Sequence, residues 1–205
     1  MLLPHYKEME RTMRKISSLI RKVTIPPVFA ALLLGAVYVA YPHYFSSVWQ
    51  LIGGIFFLSV LPTLAYPLQK YIPRFKERGL EGQRTLAMLF SFAGYVLGAL
   101  TAFATNAPLQ LKIIFIEYLL CGVSMLLFNK AFHLKASGHA CGVVGPVILL
   151  LYFKLHIPAI IGVVFIVPVY IASLRTKQHT APQLLGGSVI PAVALALILF
   201  AVQVI

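Results

Sequence analysis

Residues 185–205 read LGGSVIPAVALALILFAVQVI, without one charged side chain. About 20 apolar residues in an α-helix cross the roughly 30 Å hydrocarbon layer of a bilayer, and a helix satisfies its own backbone there. Six more apolar stretches precede this run, near 23–41, 48–69, 85–106, 109–129, 139–153 and 157–174. The chain is 60% hydrophobic and 11% charged, with most charges lying between these stretches, which is not the pattern of a soluble core. The expected fold is an all-α integral membrane bundle of about six to seven transmembrane helices. The fifth and sixth stretches are short and joined only by Lys154, Leu155 and His156. Two full spans or a re-entrant hairpin both fit, and either returns the chain to the same face.

The first apolar run follows a basic stretch of some 22 residues, so no cleavable signal peptide is expected. Within that stretch Met9, Met13, Ile16 and Ile20 recur at helical spacing, while Lys7, Arg11, Arg14, Lys15, Arg21 and Lys22 fill other positions. Residues 1–22 are therefore expected as an amphipathic helix on anionic lipid, ahead of a single transmembrane domain over 23–205. A disordered basic tail is the plainer alternative. No internal repeat or linker divides the rest.

With seven spans, the N-terminus and the loops near 70–84, 130–138 and 175–184 share one side. That side holds fifteen of the seventeen Lys and Arg; only Lys112 and Lys154 lie opposite. The positive-inside rule makes it cytoplasmic, in a membrane expected to be bacterial or archaeal. Nucleic acid is the other common partner of a chain with net charge +12, but basic residues alternating with spans follow from topology, so none is expected. Cys121 and Cys141 fall within apolar runs and suggest neither a disulfide framework nor a metal motif.

Aspartate is absent, and the acids are Glu8, Glu10, Glu77, Glu81 and Glu117. An aspartate-rich magnesium site or an intramembrane aspartyl dyad cannot be built from these, and Glu77 with Glu81 is a thin donor set. No metal or other cofactor is expected. Attention passes to histidine and the basic residues. Lys135-Ala136-Ser137-Gly138-His139 precedes the fifth run and Arg175-Thr-Lys177-Gln-His179-Thr-Ala-Pro-Gln183 precedes the last, both on the basic face.

Here the chain resembles the type-2 phosphatidic acid phosphatase family, membrane enzymes that dephosphorylate lipid phosphates without a metal. Its signatures are KxxxxxxRP, PSGH and SRxxxxxHxxxD. Ser137, Gly138 and His139 match the second, with Ala136 in the place of proline. His179 matches the histidine of the third, with Gln183 in the place of aspartate and Ser173 in that of arginine. The first is looser, because Lys76 and Arg84 are eight apart and Thr85 stands for proline. A divergent branch with an arginine before a span, then S-x-H, then H-T-x-x-Q looks closer: Glu81-Gly-Gln-Arg84, Ser137-Gly-His139 and His179-Thr-Ala-Pro-Gln183 fill its places. The resemblance covers roughly 60–190.

It implies a lipid phosphate or diphosphate as substrate, among them phosphatidate, phosphatidylglycerol phosphate or an isoprenoid phosphate. His179 would be the nucleophile, forming a phosphohistidine, and His139 the acid for the leaving alcohol. Arg84, Lys76, Lys135 and Arg175 would neutralise the phosphate, with Ser137 and the Gly138 amide as donors. Gln183 would orient the nucleophile, lending no charge where a carboxylate would.

Two rivals belong to other classes. A non-catalytic lipid-phosphate binder is favoured by the missing aspartate. A small-solute transporter would use Glu117, an acid at membrane depth, with proline-broken helices. Pairing of Glu117 with Lys112 or a nearby polar group is the structural alternative. His43, His133 and His156 are read as interfacial residues, and Lys70, Arg74, Lys76 and Arg78 can equally be a plain positive-inside loop.

Overall fold

A computed structural model of the chain describes residues 8, 11–13, 15–17, 19, 20, 23–131 and 135–204. Every regular element among them is helical, as lipid demands of apolar segments. In order they are α1 (Pro26–Ala40), α2 (Val48–Tyr71), the short α3 (Pro73–Lys76), α4 (Gly79–Ala104), α5 (Leu109–Leu126), α6 (Gly138–Tyr152), α7 (His156–Arg175) and α8 (Ala181–Val204).

Five helices, α2, α4, α5 with its continuation to Asn129, α7 and α8, are long and apolar enough to cross a membrane. The chain is an all-α membrane protein. The other two apolar runs form α1 and α6, each of 15 residues. At about 1.5 Å per residue each is about 22 Å long, less than the roughly 30 Å hydrocarbon layer. The sixth run, read as short, is a 20-residue helix. It follows α6 through a tight turn in which Lys154 takes a left-handed φ of 60°.

The helices close on glycine and aliphatic side chains. α8 lies against α6 and α5, α6 against α1 and α7, and α4 against α2 and α5. A Cβ on Gly94 would overlap the carbonyl oxygen of Phe57, and one on Gly142 would overlap Pro26. Small residues thus let backbones approach where lipid supplies no hydrophobic drive for helix association. Between these contacts Leu33, Leu34, Ile114, Tyr118, Leu149 and Ile198 form one buried core. α2 contains a π-helical turn, Phe56–Val60, and another, Leu127–Ala131, follows α5. The first ends two residues before Pro62, whose missing N–H interrupts an α-helical ladder in any case.

Of the expected interfacial helix over 1–22, the described residues are helical, and Ile20 packs with Phe29, Val143 and Val169. Met9, Arg14, Arg21 and Lys22 lie outside the described residues, so the amphipathic face as a whole does too.

Long-range contacts define two ends. At one, the first turn of α4 meets the α7–α8 loop and the start of α6 meets the start of α8. At the other, Gln50 of α2 meets Thr105 after α4, Tyr44 meets Phe153, and Lys112 sits over the Phe103 ring.

Candidate functional site

Ser137 caps α6. Its Oγ accepts from the Ala140 amide at 3.2 Å, and its carbonyl takes the Cys141 amide at 3.0 Å, the first turn of the helix. The amide of Gly138, ahead of these, has no intrahelical carbonyl to meet and points out of the positive end of the helix. The preceding strand of chain is tied down as well, since the Ala136 amide donates to Asn129 Oδ1 at 2.8 Å.

The same turn is held to α8. The Ser137 amide donates to the carbonyl of Gln183 at 2.8 Å, and a Cβ on Gly187 would overlap the Ser137 backbone. A Cβ on neighbouring Gly186 would meet only Ala136 Cβ, at 3.8 Å. Gly187 is therefore the position that lets the turn carrying His139 lie against the helix that follows His179.

Gln183 sets the state of His179. Its Oε1 lies 3.2 Å from the Thr180 amide and 3.3 Å from His179 Nδ1. A backbone N–H can only donate, so the amide oxygen must face that way. The same oxygen favours a proton on Nδ1, which in the neutral ring puts the lone pair of His179 on Nε2.

The loop that delivers His179 is closed at the end of α7. The amides of Thr176, Lys177 and Gln178 return to the carbonyls of Ala172, Leu174 and Ser173, and Lys177 takes a left-handed φ of 52°. From α4, Arg84 Nη2 donates to Gln178 Oε1 at 2.8 Å, next to His179. Polar contacts thus run from Arg84 through the His179 loop and Gln183 to Ser137. They bring together parts of three segments that lie far apart in sequence. Lys76, Lys135 and Arg175 are exposed cations at this end, on α3, before α6 and at the end of α7. His139 is half-buried in the first turn of α6, with its Nε2 out of reach of solvent. Ser173, in the family's arginine place, is fully buried in the packing of α7. Glu81 pairs with Arg78 at 2.6 Å on the surface.

Three of the residues that build this end have no motif to announce them. Gln178 holds Arg84, Asn129 holds the approach to Ser137, and Ser188 bonds Tyr170 across α7 and α8. Asn129 carries one local signal, a polar side chain at the end of an apolar run.

The other titratable groups sit elsewhere. Glu117 is 1% exposed, and its Oε1 accepts from Cys121 Sγ at 3.3 Å. Lys112 lies 5.2 Å from the Phe103 ring centroid, so the buried acid has a thiol beside it and not the lysine. Exposed His43 stacks edge-on to Tyr44 at the far end, and exposed His156 opens α7 there; His133 lies outside the described residues. Compared with protein-family models, curated proteins and solved structures, the chain matches none of them.

Proposed function

We propose that the chain is a metal-independent phosphatase of membrane lipid phosphates, working through a phosphohistidine on His179. The observation that carries this is the junction of Arg84, the His179 loop and the Ser137 turn through Gln178 and Gln183. A nucleophile with its lone pair on Nε2, a guanidinium held to the same loop from α4 and an outward helix amide are the groups that phosphoryl transfer needs. Ser173 is buried, so Arg84 supplies from α4 the cation that the family signature draws from the end of the sixth span.

In this account the phosphate rests against Arg84 and the Gly138 amide, with Lys76, Lys135 and Arg175 raising the local positive potential. His179 Nε2 attacks phosphorus as the ester P–O bond breaks. His139, whose Nε2 is shut off from solvent, gives a proton from Nδ1 to the leaving alkoxide, and Nδ1 then takes one from the water that splits the N–P bond. Inorganic phosphate and a lipid alcohol are released. The two 15-residue helices complete a seven-span arrangement by local thinning of the bilayer, with the site on the cytoplasmic face.

Phosphate release from detergent-solubilised phosphatidate, phosphatidylglycerol phosphate and an isoprenoid phosphate tests this. Release from at least one should persist in excess EDTA; loss with chelator and rescue by magnesium or zinc would overturn it. Gln183 favours a second reading, a non-catalytic binder of lipid phosphates, because an amide cannot balance the charge of a phosphorylated ring. Saturable binding without turnover on all three lipids would select it.

A further inference from the structure

A crevice of about 390 Å³ opens at the end of the bundle away from His139 and His179, between the start of α2 and the end of α4. This lies within the ~300–1,000 Å³ of typical small-molecule sites. Its inner part is apolar and narrow, bounded by Gly54, Phe57, Gly98 and Phe115. The glycines there differ in what they do. A Cβ on Gly98 would overlap the Phe115 ring, so Gly98 serves packing; a Cβ on Gly53 would meet nothing within 4 Å, so Gly53 faces open space. Trp49, 74% exposed, stands at the mouth, as tryptophans do at a membrane interface.

The mouth is polar but uncharged. Ser46, Ser47, Gln50, Thr101 and Thr105 line it, and among the described residues no ionisable side chain does. Thr101 Oγ1 donates to the Leu97 carbonyl and Thr105 Oγ1 to the Thr101 carbonyl, each at 2.8 Å. Both hydroxyl protons are thus committed, and the two oxygens present lone pairs to the crevice. Gln50 Oε1 is taken by the Ser46 amide at 2.8 Å, while its Nε2 reaches Thr105 Oγ1 only at 3.4 Å. Threonines one turn apart carry Cβ atoms about 5–6 Å from each other, a spacing suited to a head group with more than one hydroxyl. An anionic head would lose hydration here without a cation in the lining, and an ammonium would find no carboxylate. A hydrocarbon tail fits the glycine-floored inner part.

We propose that this crevice binds a neutral, glycerol-headed acyl lipid from the leaflet opposite His139 and His179, its hydroxyls donating to Thr101 and Thr105. The site is separate from the phosphate chemistry, and its test needs no turnover. The full chain in proteoliposomes is photolabelled with a monoacylglycerol carrying a diazirine in its chain, and in parallel with the same chain ending in a methyl ester. Peptide mapping should place the monoacylglycerol label within 46–57 and 98–115. Gly53→Phe, which fills open space without touching backbone, should abolish that label. The double variant Thr101→Val with Thr105→Val, close in shape to the native pair, should lower it about five- to tenfold, as loss of two hydrogen bonds implies, and leave the methyl-ester label unchanged. Equal labelling by both probes, indifference to the valines, survival of the label in Gly53→Phe, or labelling outside these segments would each overturn the proposal.

Discussion

The amide of Ser137 donates to the carbonyl of Gln183 at 2.8 Å, so the turn that carries His139 hangs from the turn that follows His179. Two segments 46 positions apart share one backbone hydrogen bond, and their side chains inherit a fixed relation from it. Gly187 makes the approach possible, because any Cβ there would strike the Ser137 backbone.

Gly187→Ala should consequently cost about 1–3 kcal/mol, the usual range for overpacking a close contact, and should lower turnover with it. Gly186→Ala, whose Cβ meets Ala136 at an ordinary 3.8 Å, should be neutral or slightly stabilising in a helix. Thermal unfolding in detergent and phosphate release on the pair check this. Equal effects would show that the approach at Gly187 is not what positions the turn.

Arg84 is held by Gln178 and should act on the phosphate from that position. Arg84→Ala should lower kcat/KM by about 10- to 100-fold, the range of a lost hydrogen bond to a charged group. Gln178→Ala should lower it less, and the double variant should match Arg84→Ala alone, because the two act as one unit. Additive losses in this cycle would separate them.

The helices and the site were unequally legible in the sequence. Lipid forces apolar runs into helices, and each of the seven runs is helical near its expected place, five of them long enough to cross a membrane. Helix ends were less visible: α4 begins at Gly79, six residues before the run read at 85–106, because a helix can continue past the hydrocarbon through Glu81 and Arg84. Likewise α8 begins at Ala181, which puts Gln183 in its first turn. The π-helical turns at Phe56–Val60 and Leu127–Ala131 left no trace, since one extra residue per turn barely disturbs an unbroken apolar pattern. Ser137, His139, His179 and Arg84 stood out as polar residues at run edges. Gln178 did not, because its role arises from a contact with a residue 94 positions away.

Gln183 offers a sharper test of how His179 is set. Gln183→Asp should keep or raise turnover, because a carboxylate holds the same tautomer and stabilises the charged ring. Gln183→Leu should lower it, since Nδ1 then loses the acceptor that fixes the lone pair on Nε2. Initial rates on the best lipid phosphate, with unfolding temperatures as a control, give the comparison.

Orientation is open to labelling. A cysteine introduced at Arg78 should react with a membrane-impermeant maleimide only after cells are permeabilised, and one at His43 should react without it. The reverse pattern would place His139 and His179 on the outer face.

A covalent bond to His179 is the central step of the proposed mechanism. Wild-type protein mixed with radiolabelled lipid phosphate and quenched within a turnover should carry an acid-labile, base-stable phosphoryl group. His179→Ala should carry none and release no phosphate. His139→Ala should retain the site of labelling while turning over about 100- to 10,000-fold more slowly, and a substrate with a better leaving group should recover part of that loss. Wild-type turnover, or an undiminished phosphoenzyme, in the His179→Ala protein would contradict the account.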